Sequence, residues 1–559
     1  MIRACRQLGI TAVTVHSEAD AGAYHVRLAD EAVALSGRTA GESYLDHAQL
    51  VAAIRSSGAQ AVHPGYGFLS EDAAFARAVA EAGAVFVGPP PSAIEMMGDK
   101  LSARQAAEKA GVAVVPGTVV ALTDAEEVAR FGEDVGWPVA IKAAFGGGGR
   151  GIRVVASAAE ARDAFASAEA EAEAGFGRGE CYVERYLTWP RHIEMQVFAD
   201  SHGRCVWLGE RECSIQRRHQ KLIEEAPAPS FGDGVRRAMG EAAVQVARVA
   251  GYAGAGTVEF LYEDGLFFFL EMNTRLQVEH PVTELVTGLD LVAEQIRVAA
   301  GAPLSFTQNS VARRGHAIEC RINAEDPAGG RFIPSPGTVT ALAAPQGPGV
   351  RWDGGHEAGD DVSPYYDNLI GKLVVWAPDR PAAIARMAAA LAELRLDGVP
   401  TTVPAHRAIL AHTDFVDARH STVWVEQRLE LPEAPAVGAA VDGAGGRSQE
   451  VRVGGRWYSI PRPGAETRPP TRGRDGAAAG TATGSGTVTS QMQGTVVRVL
   501  VAVGDIVEAG QGVCAVEAMK MESVLKCGLA GTVTEVRVAP GQPVRAGEAL
   551  VIVEPGLAP

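Results

Sequence analysis

Three groups of residues in this 559-residue sequence have types and spacings that could do chemistry. Lys142, in the apolar run VAIKA, stands four residues before Gly146, Gly147, Gly148 and Gly149 of GGGGRG. Backbone N–H groups of such a loop, with a nearby ammonium, can meet phosphate oxygens. A glycine run alone fits a flexible linker equally well, and this one lacks the Lys-Ser/Thr ending of a P-loop. Its position between the strand-like runs VAIKA and IRVV favours phosphate.

The second group lies in GTVEFLYEDGLFFFLEMN, residues 256–273, which reads as a hairpin. Glu271 and Asn273 are two apart and share a face of one strand, while Glu259 stands on the other. Two carboxylates and an amide oxygen are hard donors suited to Mg²⁺ or Mn²⁺ bridging ATP phosphates. A two-residue Asp264-Gly265 turn would put Glu259 and Glu271 on opposite faces. The metal reading therefore requires a three-residue loop through Leu266, or an equivalent bulge.

The third group is a single residue, Lys520, between two methionines in EAMKM. An exposed lysine is ordinarily a solvated charge, but here it has a context. Gly494–Glu517 laid over Gly531–Glu554, at an offset of 37, is identical at 12 of 24 positions. Such duplication means two copies of one unit packed together, here short valine-rich strands making a small β-sandwich. Lys520 falls at the turn joining the halves.

The elements that must position these groups can be read in chain order. TAVTV (11–15), AVAL (32–35), AQAVH (59–63) and AVFVG (84–88) alternate with helical patterns, as in a parallel α/β sheet. The chain opens inside a helix pattern, MIRACRQLG, so the first strand of a doubly wound sheet is expected to be missing, its coding segment lying upstream of Met1. We read domains at 1–98, 99–315, 316–430 and 488–559, with a linker at 431–487 that contains one hairpin, EVRVGGRWYSI, turning at Gly454-Gly455. The third domain reads as a support and closing domain, with the helix AAIARMAAALAEL packing on a sheet. Arg462–Thr487, 26 residues, reads as a tether averaging about 27 Å end to end if flexible and reaching about 90 Å fully extended.

A net charge of −16 disfavours attraction to nucleic acid. No apolar run is long enough to span a membrane, and no signal pattern opens the chain, so the expected location is cytoplasmic. Seven scattered cysteines without a CxxC indicate neither disulfides nor zinc.

HPGYGFLSE (63–71), MGDK (97–100), IKAAFGGGGRG, RRHQKLIEEAPAP (217–229), EMNTRLQVEHPVTE (271–284) and ECRINAEDP (319–327), in this order, resemble biotin carboxylase, an ATP-grasp enzyme, over residues 1–430. The duplicated C-terminal unit with AMKM resembles the biotinyl domain of biotin-dependent carboxylases, in which the matching lysine carries biotin. Lipoyl domains are similar in fold but have aspartate before the lysine. Gln491 departs from the proline common at the biotinyl start, and the missing first strand departs at the other end.

The resemblance implies an α/β fold with a Rossmann-like N-terminal domain, an ATP-grasp domain and a C-terminal domain, then an all-β barrel-sandwich hybrid. It implies that Lys100, Lys142, His192 and the glycine loop hold ATP phosphates, and that Glu184, Gln216 and His219 meet adenine and ribose. Glu259, Glu271 and Asn273 would bind the metal. Lys221, Arg275, Gln277 and Val278 would seat bicarbonate, with Glu279 as general base. Arg321, near Tyr66, would face biotin, and Lys520 would carry it. No carboxyltransferase-like region is left over, so a separate carboxyltransferase subunit is expected, with biotin protein ligase as a second partner and a homo-oligomer within a larger complex. Chains of this make-up resemble alpha subunits of acyl-CoA carboxylases, whose acceptors are acetyl-, propionyl- or methylcrotonyl-CoA. The alternatives are an ATP-grasp ligase with a lipoyl-type carrier and a non-catalytic carrier or scaffold.

Overall fold

The computed structural model describes residues 1–118, 120–144, 152–176, 178–433, 448–453, 456–461, 486–490, 494–518, 521–539, 542–544 and 548–555. Gly146 to Gly149, the Gly454-Gly455 turn, Gln491, Lys520 and nearly all of the tether lie outside the described residues. The described chain divides into two units, residues 1–327 with 331–431, and residues 432–559 with 328–330. No described helix is long and apolar enough to cross a membrane. All seven cysteines are free.

The first unit is built on one eight-stranded sheet. Its strands are β1 (Arg191–Ala199), β2 (Cys205–Arg217), β3 (Gln220–Ala226), β4 (Gly254–Glu263), β5 (Leu266–Asn273), β6 (His316–Asn323), β7 (Val350–Gly354) and β8 (Leu369–Ala377), in the spatial order β5-β4-β1-β2-β3-β6-β8-β7. The expected boundary at 315 therefore falls inside a continuous sheet: β3 of the second domain pairs with β6 of the third, Ile223 opposite Cys320. Local patterns could not show a pairing between strands about 90 residues apart.

Strand alternation sorts β6 between two faces. Ile318, Cys320 and Ile322 pack in a buried cluster with Ala383, Met387, Ala390 and Leu391 of α2 (Arg380–Glu393), following α1 (His280–Thr287). Each fully buried Met or Leu there contributes about 1.5–3 kcal/mol. The other face, with Ala317, meets Val282 and Val286 of α1. Glu319 and Arg321 belong to that face by the same alternation. α1 carries Pro281 in its first turn and stops at Gly288, whose φ of 74° a side chain would resist.

The four N-terminal strands occur at the places expected, Val13–His16, Glu31–Ala34, Ala61–Val62 and Val85–Phe86. They form two separate parallel pairs, first with second and third with fourth, where one continuous parallel sheet was expected.

In the second unit the repeat is visible as architecture. Gly494–Val499, Ile506–Val507 and Gly512–Ala518 recur 37 residues later as Gly531–Val536, Pro543–Val544 and Ala549–Pro555. Each of the two four-stranded sheets borrows the short middle strand of the other copy. Val496, Val516, Val533 and Val553 share one buried cluster between them, so neither copy could bury its apolar face alone. Ala518 pairs with Met521, which puts the two strands flanking Lys520 in direct register.

Candidate active site

The β4–β5 hairpin resolves the register question. Glu263 pairs with Leu266, so the turn is the two-residue Asp264-Gly265, both at positive φ (51° and 83°) as a hairpin of matching twist demands. Alone this would separate the acids. The register then shifts between Phe260–Phe269 and Glu259–Glu271, leaving Leu270 as an extra residue, and the bulge sets Glu259 directly opposite Glu271. Asn273 follows, opposite Thr257. Burial and the neighbouring Glu259 carboxylate raise Glu271 above its ordinary pKa. A divalent cation would relieve the like-charge pair, so the donor set fits a metal.

Continuing across the sheet, Glu259 faces Glu194 on β1, which faces Arg211 on β2. Arg211 is fully buried and bonded to Glu194 (2.5 Å), Gln196, Thr257 and Thr283. Lys221 of β3 reaches into this row: its Nζ donates to Glu194 (2.8 Å), Glu259 (3.2 Å) and Glu279 (2.6 Å). Burial alone would discharge it, but the three carboxylates hold its pKa well above the ordinary value. His192 Nε2 lies 2.9 Å from Glu259 Oε2, with Gln216 3.5 Å behind on Nδ1.

Glu279 stands at the N-cap of α1, yet its carboxylate caps no backbone N–H. It bridges Lys221 and Arg321 Nη2 (2.9 Å). Burial would raise its pKa, but Lys221, Arg321 and Arg211 drive it well below the carboxylate range, and the helix dipole acts in the same direction. Arg321 Nε donates to Glu224 at 2.5 Å, so two carboxylates fix its guanidinium. Arg275 is fixed likewise, by Glu71 (2.9 Å), Asn273 (3.0 Å) and Gln277 (3.1 Å). Gln277 donates to Glu259, and the Val278 carbonyl accepts from Lys372 at 2.6 Å. Lys372 Nζ also lies 5.9 Å from the Tyr66 ring centre and faces Arg321 across the β6–β8 register, which brings Tyr66 and Arg321 to one border.

Lys142 donates to Glu184, which also accepts from Arg104 (3.2 Å). The carboxylate of Glu184, expected at the adenine and ribose end, is paired with these two cations. Burial lowers the pKa of Lys100. His219 sits in the β2–β3 turn with Arg218, both at positive φ. Sequence reasoning missed Glu71, Glu194, Arg211, Glu224 and Lys372. For Glu194 a signal was present: His192, Glu194 and Gln196 alternate with apolar residues in a strand buried on both faces, where polar side chains need partners.

Four family models match the chain: the biotin carboxylase N-terminal domain at residues 1–94, the ATP-binding domain of the carbamoyl-phosphate synthase L chain at 99–307, the biotin carboxylase C-terminal domain at 319–427 and biotin-requiring enzymes at 486–553. The alpha3 subunit of a biotin-dependent acyl-coenzyme A carboxylase from Mycobacterium leprae is 44% identical over 546 residues, 94% of this chain and 91% of its own. A biotin carboxylase from Nostoc sp. is 50% identical over 428 residues, 76% and 96% of the two chains. Among solved structures, Campylobacter jejuni biotin carboxylase in complex with a β,γ-ATP ligand matches with a TM-score of 0.74 at 44% identity, covering 76% of this chain and 95% of that one. The biotin carboxylase domain of Hydrogenobacter thermophilus 2-oxoglutarate carboxylase, with MgADP and bicarbonate, matches at 0.73 and 45%, covering 76% and 94%. With a buried acid held between Lys221 and Arg321 beside a paired-carboxylate hairpin, and with a relative 44% identical over 94% of its length, the chain belongs to the biotin-dependent carboxylases, carrying the biotin carboxylase and biotinyl parts in one polypeptide.

Proposed function

We propose that this chain uses ATP and bicarbonate to carboxylate biotin borne on its own Lys520, and that a separate carboxyltransferase subunit passes the carboxyl group to an acyl-CoA. The observation that carries the reading is the position of Glu279, buried and anionic between Lys221 and Arg321. Bicarbonate is a poor nucleophile until it loses its proton. Glu279 accepts that proton, while Arg275, Gln277 and Val278 seat the anion and Lys221 offsets its charge. The freed oxygen attacks the γ-phosphate, which Lys100, Lys142, His192 and the glycine loop hold in line; Gln216, His219 and Glu184 complete the nucleotide site. Glu259, Glu271 and Asn273 would hold the Mg²⁺ or Mn²⁺ that neutralises phosphate charge. Carboxyphosphate and ADP are the products of this step, and carboxyphosphate then gives CO₂ and phosphate, the phosphate taking the ureido N–H proton. Biotin supplies the ureido nitrogen that accepts the carboxyl group. Arg321, fixed by Glu224 and Glu279, stabilises negative charge developing at the ureido oxygen, beside Tyr66.

The acyl-CoA acceptor rests on a relative that matches through both the carboxylase and the biotinyl parts, although a propionyl-CoA carboxylase alpha chain from Ruegeria pomeroyi matches only 78% of this chain. The match to the mycobacterial acyl-CoA carboxylase chain spans 94% of this chain, against 78% for a pyruvate carboxylase component from Methanothermobacter thermautotrophicus. Biotin protein ligase would load Lys520, and the chain would act as a homo-oligomer within the complex. Bicarbonate-dependent ATP hydrolysis stimulated by free biotin is the test of the first half-reaction. Its absence overturns the reading, as does a lipoyl rather than biotinyl mass on Lys520. An acetyl-, propionyl- and methylcrotonyl-CoA panel on the copurified complex identifies the acceptor.

A further inference from the structure

Beneath Arg321 lies a carboxyl pair that the reaction above leaves unused. Glu224 of β3 and Glu319 of β6 are directly opposite in the antiparallel register, and neither is exposed at all. Opposed residues share a face, with Cβ atoms about 4.5–5.5 Å apart. Glu224 Oε1 accepts from Arg321, but its Oε2 and both oxygens of Glu319 have no hydrogen-bond partner among the described residues. Two ionised carboxylates so placed would repel, and each unpartnered oxygen would keep its full desolvation cost. One proton held between them removes most of both penalties.

We infer that Glu319 is a positioning residue, protonated and sharing its proton with Glu224, so that Glu224 stays an anion aimed at Arg321. The inference rests on the proposed role of Arg321 in biotin carboxylation. The charged groups acting on the pair come from every neighbouring element: Arg321 on β6, Lys221 on β3, Lys372 on β8 and Glu279 at the start of α1. Burial pushes Glu319 far up and prevails over Lys372 and Arg321, with Glu224 and Glu279 acting in the same direction as burial. Burial and Glu279 raise Glu224 to about 7 against Arg321 and Lys221. The adjacent Cys320 thiol is pushed well up as well, so it adds no charge near neutrality. Hence Glu319 is neutral through the working range, while Glu224 ionises near its middle. Below that point Glu224 gains a proton and loses its charge-assisted bond to Arg321.

The test compares Glu319→Gln, whose amide N–H can replace the acid O–H, with Glu319→Leu, which cannot donate. In the full chain, Glu319→Gln keeps biotin-stimulated ATP hydrolysis within about threefold of wild type. Glu319→Leu lowers it at least about tenfold and moves its acid-side inflection up by about one pH unit. Bicarbonate-dependent ATP hydrolysis without biotin stays near wild type in Glu319→Gln and falls less than the biotin-stimulated rate in Glu319→Leu, because Arg321 reaches that step only through its bond to Glu279. Infrared difference spectra of wild type minus Glu319→Gln at pH 8 show a protonated-carboxyl C=O band. Equal damage by Gln and Leu, or no such band, overturns the inference. The infrared arm needs no activity and stands if the leucine variant fails to fold. Loss of biotin stimulation in the wild type itself would count against the proposed function instead.

Discussion

At the scale of single residues, the site depends on cations and anions that fix one another's positions. Arg321 and Glu279 each contact two oppositely charged partners, which preorganises them for charge that appears only during reaction. Removing one such donor typically costs about 3–4 kcal/mol of transition-state stabilisation. Arg321→Ala or Glu279→Ala is therefore expected to cut biotin carboxylation at least about a hundredfold while nucleotide binding, read by isothermal titration with ATP, remains close to wild type. Near-normal carboxylation in either variant would remove that residue from the mechanism. The motifs carrying these residues were legible in the sequence. Their pairings with Glu71, Glu224 and Lys372 were not, since each partner comes from a segment distant in the chain, even where, as for Glu71 and Glu224, it lies in a recognisable motif of its own.

At the scale of elements, two features bear testable load. The β4–β5 turn needs positive φ at Gly265, so Gly265→Val should cost about 1–2 kcal/mol in urea unfolding, although nothing crowds the position. The second feature ties α2 to the sheet. Glu225 on β3 accepts from Arg380 at the start of α2 through Nε (2.7 Å) and Nη2 (3.0 Å), and from His316 on β6 (2.6 Å). Burial would raise Glu225, but these donors lower it from 4.5 to about 2. A depressed acid stabilises the fold above its unfolded pKa and loses that contribution as pH falls through the folded value. The contribution, about 3 kcal/mol, should be intact above pH 5 and vanish between about 4.5 and 2. In acid titrations of unfolding, the advantage of wild type over Glu225→Gln should shrink over that window; a constant difference would exclude the linkage.

At the scale of the whole molecule, catalysis and carriage are separable functions of one chain. Lys520→Arg is expected to retain ATP hydrolysis stimulated by free biotin and to abolish overall acyl-CoA carboxylation, both measured on the same complex. Retained overall carboxylation would mean that the carrier lies elsewhere. The duplicated unit and several elements were readable because repeats and motifs are local patterns: the 37-residue offset recurs strand for strand, and the hairpin, α2 and the N-terminal strands occur where periodicity put them.

The sequence by itself determined which residue types are present, in what order, and which elements carry them, since helix and strand periods and duplicated segments are properties of neighbouring residues. Only the tertiary structure decided the pairings. It placed the bulge at Leu270 that brings Glu259 opposite Glu271, joined the second and third domains in one sheet, turned Glu184 onto Lys142 and Arg104, and set Glu224 against Glu319. Each of these depends on register or on partners tens of residues away. A one-residue shift moves a side chain to the other face without changing the local pattern that sequence reading relies on.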